Sequence, residues 1–162
     1  MNFTKIFAFA TLCISCALSA ATIQGKVVSV ADGDTVTVLD AQKTQHKIRL
    51  QGIDAPERAQ AYGNKSKQSL HEMVHGKEVT INYQQKDKYG RVVGKILLNN
   101  TDVCLEQVKR GMAWHYKQYA NQQPKEDRET YTLAEQQAKA DTKGLWKDKQ
   151  PVPPWEFRKQ NR

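Results

Sequence analysis

Cysteine is scarce in this chain, which has 3 in 162 residues. Two of them, Cys13 and Cys16, lie among the first twenty residues, so Cys104 stands alone in the remainder. That remainder can therefore form no intramolecular disulfide and no cysteine-based metal site. Internal repeats are also absent, and only the proline-containing end is biased in composition, so the pattern favours one domain over a repeat array.

The first twenty residues have the pattern of a secretory signal peptide. Lys5 supplies a positive start, residues 6–18 are apolar, and the small residues Ser19, Ala20 and Ala21 follow. We predict cleavage between residues 19 and 21 and a secreted or periplasmic location. A lipoprotein signal at Cys16 is the alternative, although Cys13 stands where such signals usually carry leucine.

Charge of one sign predominates, with 25 Lys and Arg against 17 Asp and Glu and a pI of about 9.4. In an exported protein this surplus favours polyanionic partners such as nucleic acid, anionic lipid or acidic polysaccharide. Charge alone does not choose among them.

The remaining chain divides into a strand-rich half and a helix-rich half. Turn residues separate the predicted strands at 22–30, 34–39, 45–51, 78–83 and 91–98, and helices are predicted at 66–75, 102–110 and 127–143. We expect an α+β, β-rich fold: a five-stranded OB-type Greek-key barrel with about three packed helices over residues 21–148. Three prolines predict that the 149–162 tail is extended.

Acidic residues stand at two strand ends. Asp34 follows an Asp32–Gly33 pair that is typical of a turn with positive φ, yet it shares the strand parity of apolar neighbours. The stretch RLQGIDAPE adds Asp54 and Glu57 on either side of an Ala-Pro step, which restrains the backbone at Ala55. Carboxylates and a fixed carbonyl suit a hard cation such as Ca²⁺, which takes about 6–8 oxygen ligands.

The segments ADGDTV, IRLQGIDAPE and DKYGRVVGKI, in this order, resemble the staphylococcal nuclease family, and the resemblance extends from about Ile23 to Trp146. It implies a Ca²⁺-dependent nuclease that acts on DNA and RNA and leaves 3′-phosphate and 5′-hydroxyl ends. The implied metal ligands are Asp34, Asp54 and the backbone carbonyl of Ala55, where the founding members carry threonine. The other implied roles are a general base at Glu57, phosphate-binding arginines at Arg49 and Arg91, and substrate contacts at Lys88, Tyr89 and Tyr119.

One departure from the family pattern concerns the loop after Glu57, which reaches Tyr62 in five steps. The founding members carry a longer, lysine-rich loop there, so substrate preference and pH optimum do not transfer with the resemblance. We expect a monomer with a nucleic-acid substrate.

Two other functions are weighed against this one. An OB-fold module that binds nucleic acid without cleaving it is the first. The second is a zinc peptidase, because HEMVH places His71 and His75 at the spacing of two zinc ligands on a helix. No third zinc ligand is evident downstream.

The tail contains two aromatic residues, Trp155 and Phe157, which can dock on the domain or bind a partner.

Overall fold

The computed structural model describes residues 21–161, so the predicted signal peptide lies outside the described part of the chain. The strands are β1 (Ala21–Asp32), β2 (Thr35–Asp40), β3 (Gln45–Leu50), β4 (Ile53–Asp54), β5 (Glu78–Lys86), β6 (Val92–Leu98), β7 (Thr101–Asp102) and β8 (Trp114–His115). The helices are α1 (Gly63–Val74), α2 (Val103–Lys109), α3 (Lys125–Ala140) and α4 (Pro154–Gln160), with 3₁₀ helices at Lys117–Gln122 and Gly144–Lys147.

Five of these strands close into a barrel. The order is β3-β2-β1-β5-β6, with antiparallel neighbours, and a parallel pairing between β3 and β6 closes the sheet. That pairing sets Arg49 opposite Val93. The prediction of a β-rich OB-type barrel is thereby confirmed, whereas the two-residue strands β4, β7 and β8 were not predicted.

The barrel interior is filled by the β-branched and aliphatic residues that alternate along the strands. Val27, Val36, Val38 and Ile48 are fully buried, as is Leu70 from α1. Helix α1 covers one side of the barrel with the apolar stripe that its spacing predicts. Val108 of α2 and Tyr131 of α3 belong to the same hydrophobic core, so the barrel and these helices pack as one unit.

The prediction of an extended tail is wrong in part, because residues Pro154–Gln160 form helix α4. Pro153 is the N-cap and Pro154 occupies the first turn. Backbone N–H groups there have no partner within the helix, so the missing N–H of proline costs no hydrogen bond. The prolines therefore start a helix instead of continuing as an extended segment. Trp155 then stacks on Tyr116, with ring centroids 5.4 Å apart and an interplanar angle of 9°, so the tail docks on the domain.

The turn between β1 and β2 also differs from the expectation. The turn residues are Gly33 and Asp34, and Gly33 is not among the residues with positive φ in the described chain. Glycine is required there for a different reason, since a Cβ atom would lie 1.9 Å from Ser66 Oγ and 2.8 Å from Ala55 Cβ. Close approach of α1 to the turn, and not backbone conformation, excludes a side chain.

Within residues 21–161, no helix is both long and apolar enough to span a membrane.

Candidate active site

Asp34 is a buried acid at the tip of the β1–β2 turn, with 6% of the residue exposed. Its Oδ2 accepts the backbone N–H of Ala55 at 2.6 Å, and its Oδ1 accepts the hydroxyl of Thr35 at 3.2 Å. Burial raises the pKa of Asp34 to about 7, although the nearby Arg49 guanidinium opposes the shift. The site therefore contains a carboxylate whose negative charge is incompletely offset.

Arg49 joins the two predicted metal-binding aspartates. From β3 its Nη1 lies 3.0 Å from Asp34 Oδ2, and its Nη2 donates to Asp54 Oδ1 at 2.8 Å. The Asp54 side chain is only 1% exposed, because β4 pairs with β8 and holds it inside the domain. The prediction that these two acids come together across the barrel end is supported by this geometry.

Glu57 lies at the rim of the same site, with 41% of its side chain exposed. The loop that follows closes on its backbone: Gln60 donates its N–H to the Glu57 carbonyl at 2.8 Å. Gly63 opens α1 so close to that carbonyl that a Cβ atom would lie 2.0 Å from the oxygen. The short loop therefore fixes the Glu57 backbone at the entrance, while its carboxylate stays accessible.

Arg158 is a residue of the site that the sequence did not identify. From α4 its Nη2 lies 2.7 Å from Asp54 Oδ2, and its Nη1 donates to Glu57 Oε1 at 2.7 Å. Burial lowers the pKa of Arg158, but hydrogen bonds to the two carboxylates outweigh it, and the net direction is upward. The sequence does place an arginine three residues after Trp155. This spacing puts both side chains on one face only if the tail is helical, so it does not reveal the site by itself.

Arg91 is not brought to these acids. Its Nε donates to Asp87 Oδ2 at 2.7 Å, and its guanidinium lies 5.5 Å from the centre of the Tyr89 ring. Because Val92 pairs with Ile48 in the parallel β3–β6 register, Arg91 immediately precedes the strand next to the one that carries Arg49. Arg91 thus flanks the site from the loop before β6.

The predicted substrate contacts lie at exposed positions. Tyr89 is 71% exposed at the tip of the β5–β6 loop, with Lys88 Nζ 5.1 Å from its ring centre. Tyr119 is 44% exposed and packs edge-on against Tyr116 at 4.9 Å. Tyr116 in turn contacts α4, so this aromatic pair connects the tail to the rim of the site.

His71, in α1, and His75, the C-cap of that helix, do not form a zinc centre. His71 and His75 stack on each other with ring centroids 4.3 Å apart. Among residues 21–161, no group of three or more His, Cys, Asp or Glu side chains converges closely enough to hold a metal ion. The zinc-peptidase hypothesis therefore has no third ligand in the described part of the chain.

Comparison with known proteins decides the family. The family model described as staphylococcal nuclease homologue matches residues 47–148, which is more than half of the chain. The chain belongs to the staphylococcal nuclease family. The prediction of a hydrolase that acts on nucleic acids is confirmed at the level of this family.

Bacterial and plant relatives give the same result. An uncharacterized endonuclease of Escherichia coli is 40% identical over 154 residues, covering 94% of this chain and 92% of the relative. An uncharacterized endonuclease of Haemophilus influenzae is 39% identical over 137 residues, covering 85% and 74%. A probable staphylococcal-like nuclease of Oryza sativa is 40% identical over 118 residues, covering 73% of this chain but 34% of the relative.

The donor chemistry of this staphylococcal nuclease relative fits a hard cation. Asp34 and Asp54 offer carboxylate oxygens in a buried position, and the raised pKa of Asp34 marks a negative charge that a cation would stabilise. A ligand set of two carboxylates, a backbone carbonyl and water needs no third acidic side chain, so the absence of such a cluster from the described residues does not contradict it. In this structure the guanidiniums of Arg49 and Arg158 both pair with Asp54, and a bound ion would share the Asp54 carboxylate with them.

Proposed function

We propose that this protein is an exported, Ca²⁺-dependent nuclease that hydrolyses phosphodiester bonds of DNA and RNA and leaves 3′-phosphate and 5′-hydroxyl ends. The observation that carries the proposal is the bridging of two buried aspartates by Arg49, with Glu57 at the rim. Export would use the signal predicted at residues 1–20.

Asp34, Asp54 and the Ala55 carbonyl would hold the ion. When bound, Ca²⁺ supplies positive charge beside the phosphate that is to be cleaved. Buried carboxylates suit this role because their own desolvation is costly without a cation. Neither aspartate has to move into the site, since Asp54 is fixed by β4 and Asp34 by the turn.

The arginines would bind the substrate phosphate. A guanidinium donates two parallel hydrogen bonds to phosphate oxygens and stabilises the charge that develops on them during attack. Arg49 lies at the acids already, whereas Arg91 would exchange its contact with Asp87 for the phosphate. Removing one such donor typically lowers the rate by about 10²–10³-fold.

Glu57 would act as the general base. Water is a weak nucleophile, so a carboxylate within hydrogen-bond reach must accept its proton as the oxygen attacks phosphorus in line with the leaving 5′ oxygen. The exposure of Glu57 suits contact with both water and substrate, which a buried aspartate could not have. Lys88, Tyr89 and Tyr119 would contact neighbouring phosphates and bases, and stacking contributes roughly 1–3 kcal/mol per base.

The test is cleavage of covalently closed circular single-stranded DNA, duplex DNA and RNA, each with Ca²⁺ or with a chelator. We expect the circular DNA to be cleaved with Ca²⁺ and not with the chelator. The new 5′ ends should carry hydroxyl groups, so a polynucleotide kinase should label them without prior phosphatase treatment. Glu57→Gln should lower the rate by about 10²–10⁴-fold. Glu78→Gln, at an exposed residue that starts β5, is the matched control and should leave the rate unchanged.

Cleavage that is equal with Ca²⁺, with chelator and in Glu57→Gln would overturn the mechanism. Binding of the same substrates without cleavage would instead support the non-catalytic OB-fold module.

A further inference from the structure

We infer that Arg158 is a positioning residue of the active site, which holds the Glu57 carboxylate against Asp54. The C-terminal segment from residue 149 onward would then complete the catalytic unit. This inference rests on the proposed function, because Arg158 would act through Glu57, the proposed general base.

The first support is the geometry of the guanidinium. Its Nη1 donates to Glu57 Oε1 at 2.7 Å, while its Nη2 donates to Asp54 Oδ2 at 2.7 Å. Nη1 also lies 3.3 Å from Asp54 Oδ1. One planar group therefore links the rim acid to the buried acid at a fixed spacing, which a lysine ammonium could not reproduce.

The second support is that Glu57 needs such a partner. Its backbone is held by the Gln60 N–H, but 41% of its side chain is exposed, so nothing in the loop itself restricts the carboxylate. Within residues 21–161, Arg158 is the only basic side chain within ion-pair distance of it. Asp54, by contrast, is buried and is also held by Arg49, so it depends less on the tail.

The third support is the anchoring of α4. Trp155 stacks on Tyr116 and packs edge-on against Trp114 at 5.7 Å, and Pro154 is buried. The Gln60 side chain also donates to the carbonyl of Val152, which ties the loop after Glu57 to the tail. These contacts hold Arg158 on a rigid helix, as a residue that positions a base must be.

An opposite role makes an opposite prediction. If Arg158 only covered Asp54 and obstructed the site, its removal would raise the rate. If it positions Glu57, its removal lowers kcat, because a displacement of about 1 Å in a reacting group can cost about 10²-fold. The sign of the change therefore distinguishes the two.

The experiment compares Arg158→Gln, Arg158→Lys and Lys159→Gln in the full chain with Ca²⁺. Lys159 is exposed on the same helix, so its variant removes one charge without touching the acids. We expect Arg158→Gln to lower kcat by about tenfold or more with KM changed less than about threefold, and Arg158→Lys to fall between it and the wild type. Lys159→Gln should match the wild type in kcat.

A double-mutant cycle with Glu57→Gln identifies the residue through which Arg158 acts. If Arg158 positions Glu57, then adding Arg158→Gln to the Glu57→Gln variant should lower kcat by less than about threefold further. The same loss in both backgrounds, an unchanged kcat in Arg158→Gln, or a higher kcat would overturn the inference. Melting curves accompany each variant, and where Arg158→Gln melts near the assay temperature the cycle is run with Arg158→Lys.

The outcomes also separate this inference from the proposed function. A Glu57→Gln variant as active as the wild type would overturn the general-base role of Glu57 in the proposed function, and the inference on Arg158 with it. A Glu57→Gln variant that is impaired beside a fully active Arg158→Gln would overturn only the role of the tail.

Discussion

Arg49 and Asp54 form a buried ion pair at the end of the barrel, with Nη2 2.8 Å from Oδ1. Only 14% of the arginine side chain and 1% of the aspartate side chain are exposed. Because the second nitrogen of the same guanidinium reaches Asp34, this one residue is shared by both proposed metal ligands. Its removal should therefore affect stability as well as catalysis.

Arg49→Gln should lower kcat/KM by at least about 10²-fold, because the proposed phosphate donor is lost. It should also lower the free energy of unfolding by about 3–5 kcal/mol without Ca²⁺, since Asp34 loses the guanidinium that faces it and Asp54 keeps Arg158 but loses Arg49. Steady-state kinetics and urea unfolding in chelator measure the two effects. Lys47→Gln, two residues earlier on an exposed position of β3, is the control, and equal losses in both variants would contradict the prediction.

Asp34→Ala should abolish Ca²⁺-dependent cleavage and leave the barrel folded. The physical reason is that the acid is costly to bury without a cation, and relief of this cost offsets the loss of its contacts with Arg49 and the Ala55 N–H. Circular dichroism checks the fold. A ligand that binds only the folded state adds about 2.7 kcal/mol at a hundred times its Kd, so Ca²⁺ should raise the melting temperature of the wild type. An equal rise in Asp34→Ala would exclude Asp34 as a ligand.

The barrel, and the place of the candidate acids at strand ends, could be predicted because their signals are local. Alternating β-branched residues mark the strands, and the acids of IDAPE stand next to a strand end whatever the tertiary structure. Asp34 and Asp54 both contact Arg49, because the strand pairings bring the start of β2, the end of β3 and the following strand β4 to one end of the barrel.

Arg158 could not be predicted in the same way, because its contacts with Asp54 and Glu57 span about a hundred residues of chain. Its place depends on the stacking of Trp155 on Tyr116, which no local pattern contains. The need for glycine at position 33 also depends on a distant residue, since the Ser66 side chain that excludes a Cβ atom belongs to α1.

Gly33→Ala should destabilise the protein by about 1–3 kcal/mol, the usual cost of overpacking a filled space. The new methyl group would overlap Ser66 Oγ and press on Ala55, so the turn that carries Asp34 would move. We therefore expect weaker Ca²⁺ binding, measured by calorimetry, in addition to a lower unfolding midpoint in urea. Gly90→Ala is a control for adding a methyl group in open space, although the positive φ of Gly90 adds some strain. Unchanged stability and Ca²⁺ affinity in Gly33→Ala would contradict the packing argument.

Glu135 should make stability depend on pH in the acidic range. Burial raises the pKa of this carboxyl, but Lys117 Nζ at 2.9 Å and Lys139 Nζ at 3.1 Å outweigh it, and the net direction is below the ordinary value of 4.5. Because the folded pKa is the lower one, the stabilisation is fully present above the unfolded pKa and is lost as pH falls through the folded pKa. Glu135→Gln should thus be less stable than the wild type at pH 7, and the gap should narrow below about pH 4.5. Urea unfolding across this range measures the gap, with exposed Glu129→Gln as the control. A gap that stays constant down to the acid transition would show that the two lysines do not stabilise the Glu135 carboxylate.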